Sequence, residues 1–166
     1  MRGALPGVVR HPHALAIAGL VSALAVTSTV AAQEQGAAQR PEIEFLTPYG
    51  PPTRPFSPAV RVGSLLFLSG QIGVRADAGG ALVPGGIKAE TRQTLENIRD
   101  VLQRVGSSME RVVKCTVMLA DMAEWGAMNE VYTTFFPKNK PARSALGASG
   151  LALNARVEIE CIAVAG

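Results

Sequence analysis

The chain has 166 residues, with 16 Lys or Arg, 13 Asp or Glu, two Cys and two His. Both histidines, His11 and His13, precede residue 33, so a mature chain beginning there has none, which excludes histidine triads, histidine-ligated zinc and two-histidine ribonuclease chemistry. Setting aside Arg2 and Arg10 leaves 14 basic against 13 acidic residues, and a net charge near +1 gives no general pull toward nucleic acid.

Residues 1–32 read as a secretory signal. Arg2 and Arg10 supply a positive start, Ala14 to Val26 an uncharged apolar run, and Val30-Ala31-Ala32 a small-residue cleavage site before Gln33. The competing reading is an uncleaved anchor, but Thr27, Ser28 and Thr29 make a poor membrane span. No Cys follows the run, which argues against a lipoprotein. The expectation is an exported, periplasmic protein with no stable membrane association once the signal is removed. Residues 33–52 then hold a flexible leader and a first strand at Ile43 to Thr47, and residues 53–166 one domain.

Pro48, Pro51, Pro52, Pro55 and Pro58 resist helix and central strand, so this stretch is predicted as a loop laid over the domain. Ala59 to Ser69 reads as a hairpin turning at Gly63-Ser64 into Leu65-Leu66-Phe67-Leu68, a strand expected to be buried on both faces. A glycine-rich loop spans 79–86. Ile87, Thr91, Leu95, Ile98, Leu102 and Val105 recur at the helical period, and Gly106 stands where a left-handed cap ends a helix. Arg111 to Ala120 alternates as a strand, with Val113, Cys115, Val117 and Leu119 predicted on one face and Val112, Lys114, Thr116 and Met118 on the other. Asp121 and Glu124 have the spacing of a helix start, Trp125, Met128, Tyr132 and Phe135 form the apolar stripe of a second helix, and Pro137 stops it. Ala142 to Ser149 and Val157 to Val164 are the last strands.

This order predicts an α+β fold, a single mostly antiparallel sheet with two helices on one face. The second face, with Leu65, Phe67, Val112 and Met118 available to it, calls for a closed symmetric oligomer. Cys115 and Cys161 lie in strands; buried, unpaired thiols are the simpler expectation, and a disulfide is the alternative in an oxidising compartment.

Arg143 and Glu158 interrupt small or apolar strands. A guanidinium is a planar fork suited to a carboxylate, and Glu158 shares a strand face with Glu160. From spacing alone, a structural ion pair or an edge strand with solvated charges is the favoured reading, and a functional one gains strength only if Arg143 faces a pocket.

PARSALGASGLALNARVEIECIAV, LLFLSGQIG from Leu65 to Gly73, and Met128-Asn129-Glu130-Val131-Tyr132 with Phe135-Phe136 together resemble the RidA (YjgF) family in order, over nearly all of residues 53 to 164. The resemblance implies a chorismate-mutase-like homotrimer with clefts between subunits. It implies hydrolytic deamination of short 2-imino and 2-enamino acids, such as 2-iminopropanoate and 2-iminobutanoate, with no metal or organic cofactor. On that model Arg143 anchors the substrate carboxylate and Glu158 directs the attacking water, while Ser69, Gly70, Phe56, Asn129 and the backbone of Ala145 line the cleft. Three departures bear on substrate choice: Phe56 stands where many members have Tyr, Ala145 where Cys is frequent, and the segment from Pro137 to Lys140 is shortened. Taken without the resemblance, Phe56 reads as a core plug, Ser69 and Gly70 as a strand end, and Asn129 as a surface amide. Two further functions fit less of the sequence: a non-catalytic trimeric binder of small carboxylates in the periplasm, and an endoribonuclease or translation inhibitor, which would lack both a histidine pair and a base-stacking platform.

Overall fold

Alternating and helical hydrophobic patterns become elements close to where they are predicted. The structure is a computed structural model that describes residues 40–51, 53–75 and 79–166; the segment read as a signal and most of that read as a leader lie outside them. The strands are β1 (Ile43–Leu46), β2 (Ala59–Val62), β3 (Leu65–Leu68), β4 (Gln71–Ile72), β5 (Val112–Leu119), β6 (Ala142–Gly147) and β7 (Val157–Val164), and the helices are α1 (Gly86–Arg104) and α2 (Trp125–Phe135). The two-residue β4, which the sequence pattern does not signal, extends the line of β3 and pairs with β7.

The sheet order is β1-β2-β3-β7-β5-β6. Every pairing is antiparallel except β5 with β6, which are joined through α2, because a parallel neighbour requires a crossover rather than a hairpin. The last strand therefore enters the middle of the sheet, and β6 and β7, consecutive in sequence, are separated by β5.

α1 buries all six residues of its predicted stripe beneath the sheet, with Leu95, Ile98 and Leu102 at 0% exposure. Burial of each such side chain contributes roughly 1.5–3 kcal/mol. Gly106, at φ 78°, ends α1 as expected, and the Ser107 amide returns to the Leu102 carbonyl at 2.7 Å.

α2 departs from its predicted stripe. Met128, Val131 and Tyr132 are its buried residues, with Phe136 buried just past its end, whereas Trp125 is 40% exposed and Phe135 only partly covered. Asp121 caps the short helical turn at Met122–Glu124 by accepting from the Ala123 amide, and Glu124 pairs with Arg156 instead of folding back on the cap.

Two further expectations are corrected. A bulge between Val112 and Lys114 inserts one residue into β5 opposite β7, so Val112 turns into the core and Val113 becomes 45% exposed, the reverse of the uninterrupted alternation. Cys115 and Cys161, register partners on β5 and β7, form a disulfide rather than two free thiols; their side chains face each other because the antiparallel pairing puts them directly opposite.

β3 alternates instead of burying both faces: Leu66 and Leu68 enter the core, while Leu65 and Phe67 are 38% and 41% exposed. The register places Ile43, Phe45, Val60, Val62, Leu65, Phe67, Ile162 and Val164 together on the face away from the helices. This open face is apolar over β1, β2 and β3 and becomes polar toward Glu160 and Glu158.

Candidate functional site

Arg143 lies in β6, level with Cys115 of β5, and its side chain points to the helical face. Three side chains of α2 hold it there. One Nη donates to Asn129 Oδ1 at 2.9 Å, the Tyr132 ring centroid is 4.6 Å from Cζ, and the Trp125 ring centroid is 5.7 Å away. Trp125, Asn129 and Tyr132 are spaced i, i+4 and i+7, so one helical face presents all three. The guanidinium has five N–H donors, and Asn129 uses one edge; the rings contribute only their negative π faces, which leaves donors for an anion. Tyr132 is 5% exposed, and its hydroxyl has no hydrogen-bond partner among the described residues. Burial pushes its pKa up to about 12 despite the opposing pull of Arg143, so the phenol stays neutral beside the cation.

Glu158 lies in β7, opposite Ile72 of β4 and Met118 of β5. Val157 and Ile159 on either side of it are fully buried under the helices, so the alternation turns Glu158 to the open face. No hydrogen bond or ion pair engages its carboxylate among the described residues. Burial raises its pKa, and the like charge of Glu160 raises it further. The carboxylate rests against the backbone of Gly70, where a Cβ would overlap it. This is the physical reason for glycine at that position.

The structure thus gathers the sequence-predicted residues into two groups. Arg143 and Asn129 stand together on the helical side, and Ala145 follows on β6, partly buried against the core. Glu158 and Gly70 stand together on the open side. Ser69, just before Gly70, donates its hydroxyl to the Ser57 carbonyl at 2.7 Å and so ties the proline-rich loop to the end of β3. Within one chain β5 intervenes and the sheet faces are opposite, so Arg143 and Glu158 do not share a crevice as residues of neighbouring strands would. Phe56 does not plug the core. It is 46% exposed and lines a cavity of about 400 Å³ with Tyr49, Arg54, Gln71, Val74 and Asn97, and neither Arg143 nor Glu158 reaches that cavity. The sequence reading missed Trp125 and Tyr132 as neighbours of Arg143 because both fitted the apolar stripe; their spacing around Asn129 was the available signal. Among the described residues no three His, Cys, Asp or Glu side chains come together as metal ligands would.

An antiparallel sheet with one inserted parallel edge, two helices on one face, and an arginine and a glutamate turned to opposite sides define a protein of the chorismate-mutase-like α+β class. A family model described as Endoribonuclease L-PSP matches residues 49–165. A mouse protein named 2-iminobutanoate/2-iminopropanoate deaminase is 45% identical over 112 residues, which cover 68% of this chain and 82% of the mouse protein. The crystal structure of yeast Mmf1 superposes with a TM-score of 0.69 at 34% identity, covering 75% of this chain and all of the yeast chain. RidA from the Antarctic bacterium Psychrobacter sp. PAMC 21119 gives a TM-score of 0.65 at 33% identity, covering 72% and 97%. The chain belongs to the RidA (YjgF) family.

Proposed function

We propose that this chain is a hydrolytic deaminase of short 2-imino and 2-enamino acids, 2-iminopropanoate and 2-iminobutanoate among them, working in clefts shared between subunits of a homotrimer. The observation that carries the reading is the divided site: a braced guanidinium with free donors and a partly buried carboxylate that has no partner among the described residues lie on opposite faces of one chain. A second copy that lays its β6 edge against the open face would bring one of each together. The apolar half of that face, with Leu65 and Phe67 partly exposed, supports such self-association. The name of the mouse relative supports the reaction.

The chemistry follows from the two groups. Arg143 grips the substrate carboxylate through two parallel N–H···O bonds and so fixes C2. Glu158, as carboxylate, accepts a proton from a water whose oxygen bonds to C2, and the C=N π pair moves to nitrogen. Glu158 returns that proton to the nitrogen to give the carbinolamine, then passes the hydroxyl proton to the same nitrogen as the C–N bond breaks, so that ammonia leaves and the C2 oxygen becomes the keto group. A carboxyl group with a raised pKa suits this work because its carboxylate is a stronger base toward the proton of the attacking water.

The test is subunit mixing. Arg143→Ala should lose substrate capture, and Glu158→Gln should lose turnover by roughly 10²–10⁴. Unfolded together and refolded as a mixture, the two variants should recover about a quarter of the wild-type rate of ammonia release from 2-iminopropanoate, the share of clefts that draw an intact residue from each neighbour. No recovery, with both variants assembled, would place both groups in one chain's site. A carboxylate bound without ammonia release above buffer would instead leave a binder.

Export belongs to the same proposal. The signal-like residues 1–32 motivate it, and the Cys115–Cys161 disulfide supports it, since such bonds persist in oxidising compartments. A periplasmic fraction whose purified chain starts at Gln33 is the expected outcome, and full-length protein confined to the cytoplasm would contradict it.

A further inference from the structure

Resting on the deaminase reading and widening its substrates beyond the short 2-imino acids, we infer that Trp125 is the specificity-determining wall of the arginine half of the site and favours 2-imino acids with aromatic or large apolar side chains. The inference begins with how the guanidinium is enclosed. Asn129 occupies one of its edges, at 2.9 Å. Tyr132 lies 4.6 Å from Cζ but is only 5% exposed, so its ring is spent inside the fold. Trp125 also neighbours the cation, at 5.7 Å, and is 40% exposed. Of the two rings flanking Arg143, only the indole has surface to offer a ligand.

The reach is right for contact. A carboxylate in a charge-assisted fork holds its carbon about 4 Å from Cζ, and the substrate's Cβ is about 2.5 Å beyond that carbon. A side chain that leaves C2 on the indole's side of the guanidinium can therefore reach a ring centred 5.7 Å from the same Cζ. It cannot turn toward Tyr132, which is covered. A methyl group touches little of the indole, whereas a benzyl group can stack on it and exclude water from it, an aromatic contact that accounts for about a tenfold preference. Trp125 opens α2 directly after the turn capped by Asp121, so the backbone from which its ring projects is held.

The test compares kcat/KM for 2-imino-3-phenylpropanoate and 2-iminopropanoate, each generated in the assay from its amino acid by an amino-acid oxidase, with ammonia release corrected for the buffer rate. Wild type should favour the phenyl imine. Trp125→Ala should lower the ratio of the two values about tenfold, mainly through KM for the phenyl imine, and Trp125→Phe should keep most of the ratio. Trp125→Leu, which keeps the position apolar, gives the same comparison if the alanine variant does not fold. Equal losses on both substrates, or an unchanged ratio, would overturn the inference while leaving the deaminase reading in place. Wild-type protein inactive on both imines would remove the deaminase reading and this inference with it.

Discussion

The two halves of the site are built in opposite ways. Arg143 is braced by three side chains of α2, Asn129, Tyr132 and Trp125, and its position is set before any ligand arrives. Among the described residues Glu158 has no hydrogen-bond or ion-pair partner, only the bare backbone of Gly70 beneath it and a second carboxylate, Glu160, on the same strand face. The contrast matches the two tasks: an anchor gains from being fixed, whereas a group that takes and returns a proton must not be neutralised by a permanent cation. On the proposed function, the protein preorganises one half internally and leaves the other for substrate, water and a neighbouring copy to complete.

Filling the space under the carboxylate breaks the contrast most severely. Gly70→Ala should displace the Glu158 side chain and cut kcat about 10²-fold, as a misplacement near 1 Å does, while the KM assigned to Arg143 stays close to wild type. A rise in KM alone would show that Gly70 serves substrate binding instead. On the braced side, Asn129→Ala removes one hydrogen bond and leaves both rings in place. It should raise KM about tenfold, the cost of a hydrogen bond to a charged group, with kcat little changed. An equal fall in kcat would place Asn129 in the chemical step.

The smallest effect sharpens the comparison through pH. Desolvation first, and Glu160 second, hold the Glu158 carboxyl above its ordinary range, and the water step needs the ionised form. The acid limb of kcat against pH should therefore lie above the usual carboxylate range. Glu160→Gln removes the like charge and should move that limb to lower pH without moving the plateau; an unmoved limb would leave burial as the sole cause. The stability sign runs with it. A carboxyl whose folded pKa is raised favours the fold while protonated, and that contribution is lost as pH rises through the folded value.

How much of this was legible in sequence varies by element. The stripe of α1 was complete because its six residues face a continuous core, and period alone identifies such a helix. α2 was only partly legible. Trp125 satisfied the apolar pattern but packs beside Arg143, further along the chain in β6, and no local period records a long-range partner. The bulge at Val112 and Val113 defeated simple alternation because it depends on the opposing strand. The cysteines could not be paired from spacing, since their meeting depends on β7 entering beside β5.

By itself the amino-acid sequence determined the elements, their order, the family resemblance and the two charged residues to watch, because hydrophobic period, caps and short motifs are local properties. Only the tertiary structure decided that β7 runs between β3 and β5, and with it that Arg143 and Glu158 face opposite sides of the sheet. Strand order arises from pairing between segments far apart in the chain, and a side chain's face follows from that pairing, so the division of the site into two halves was written in no single stretch of residues.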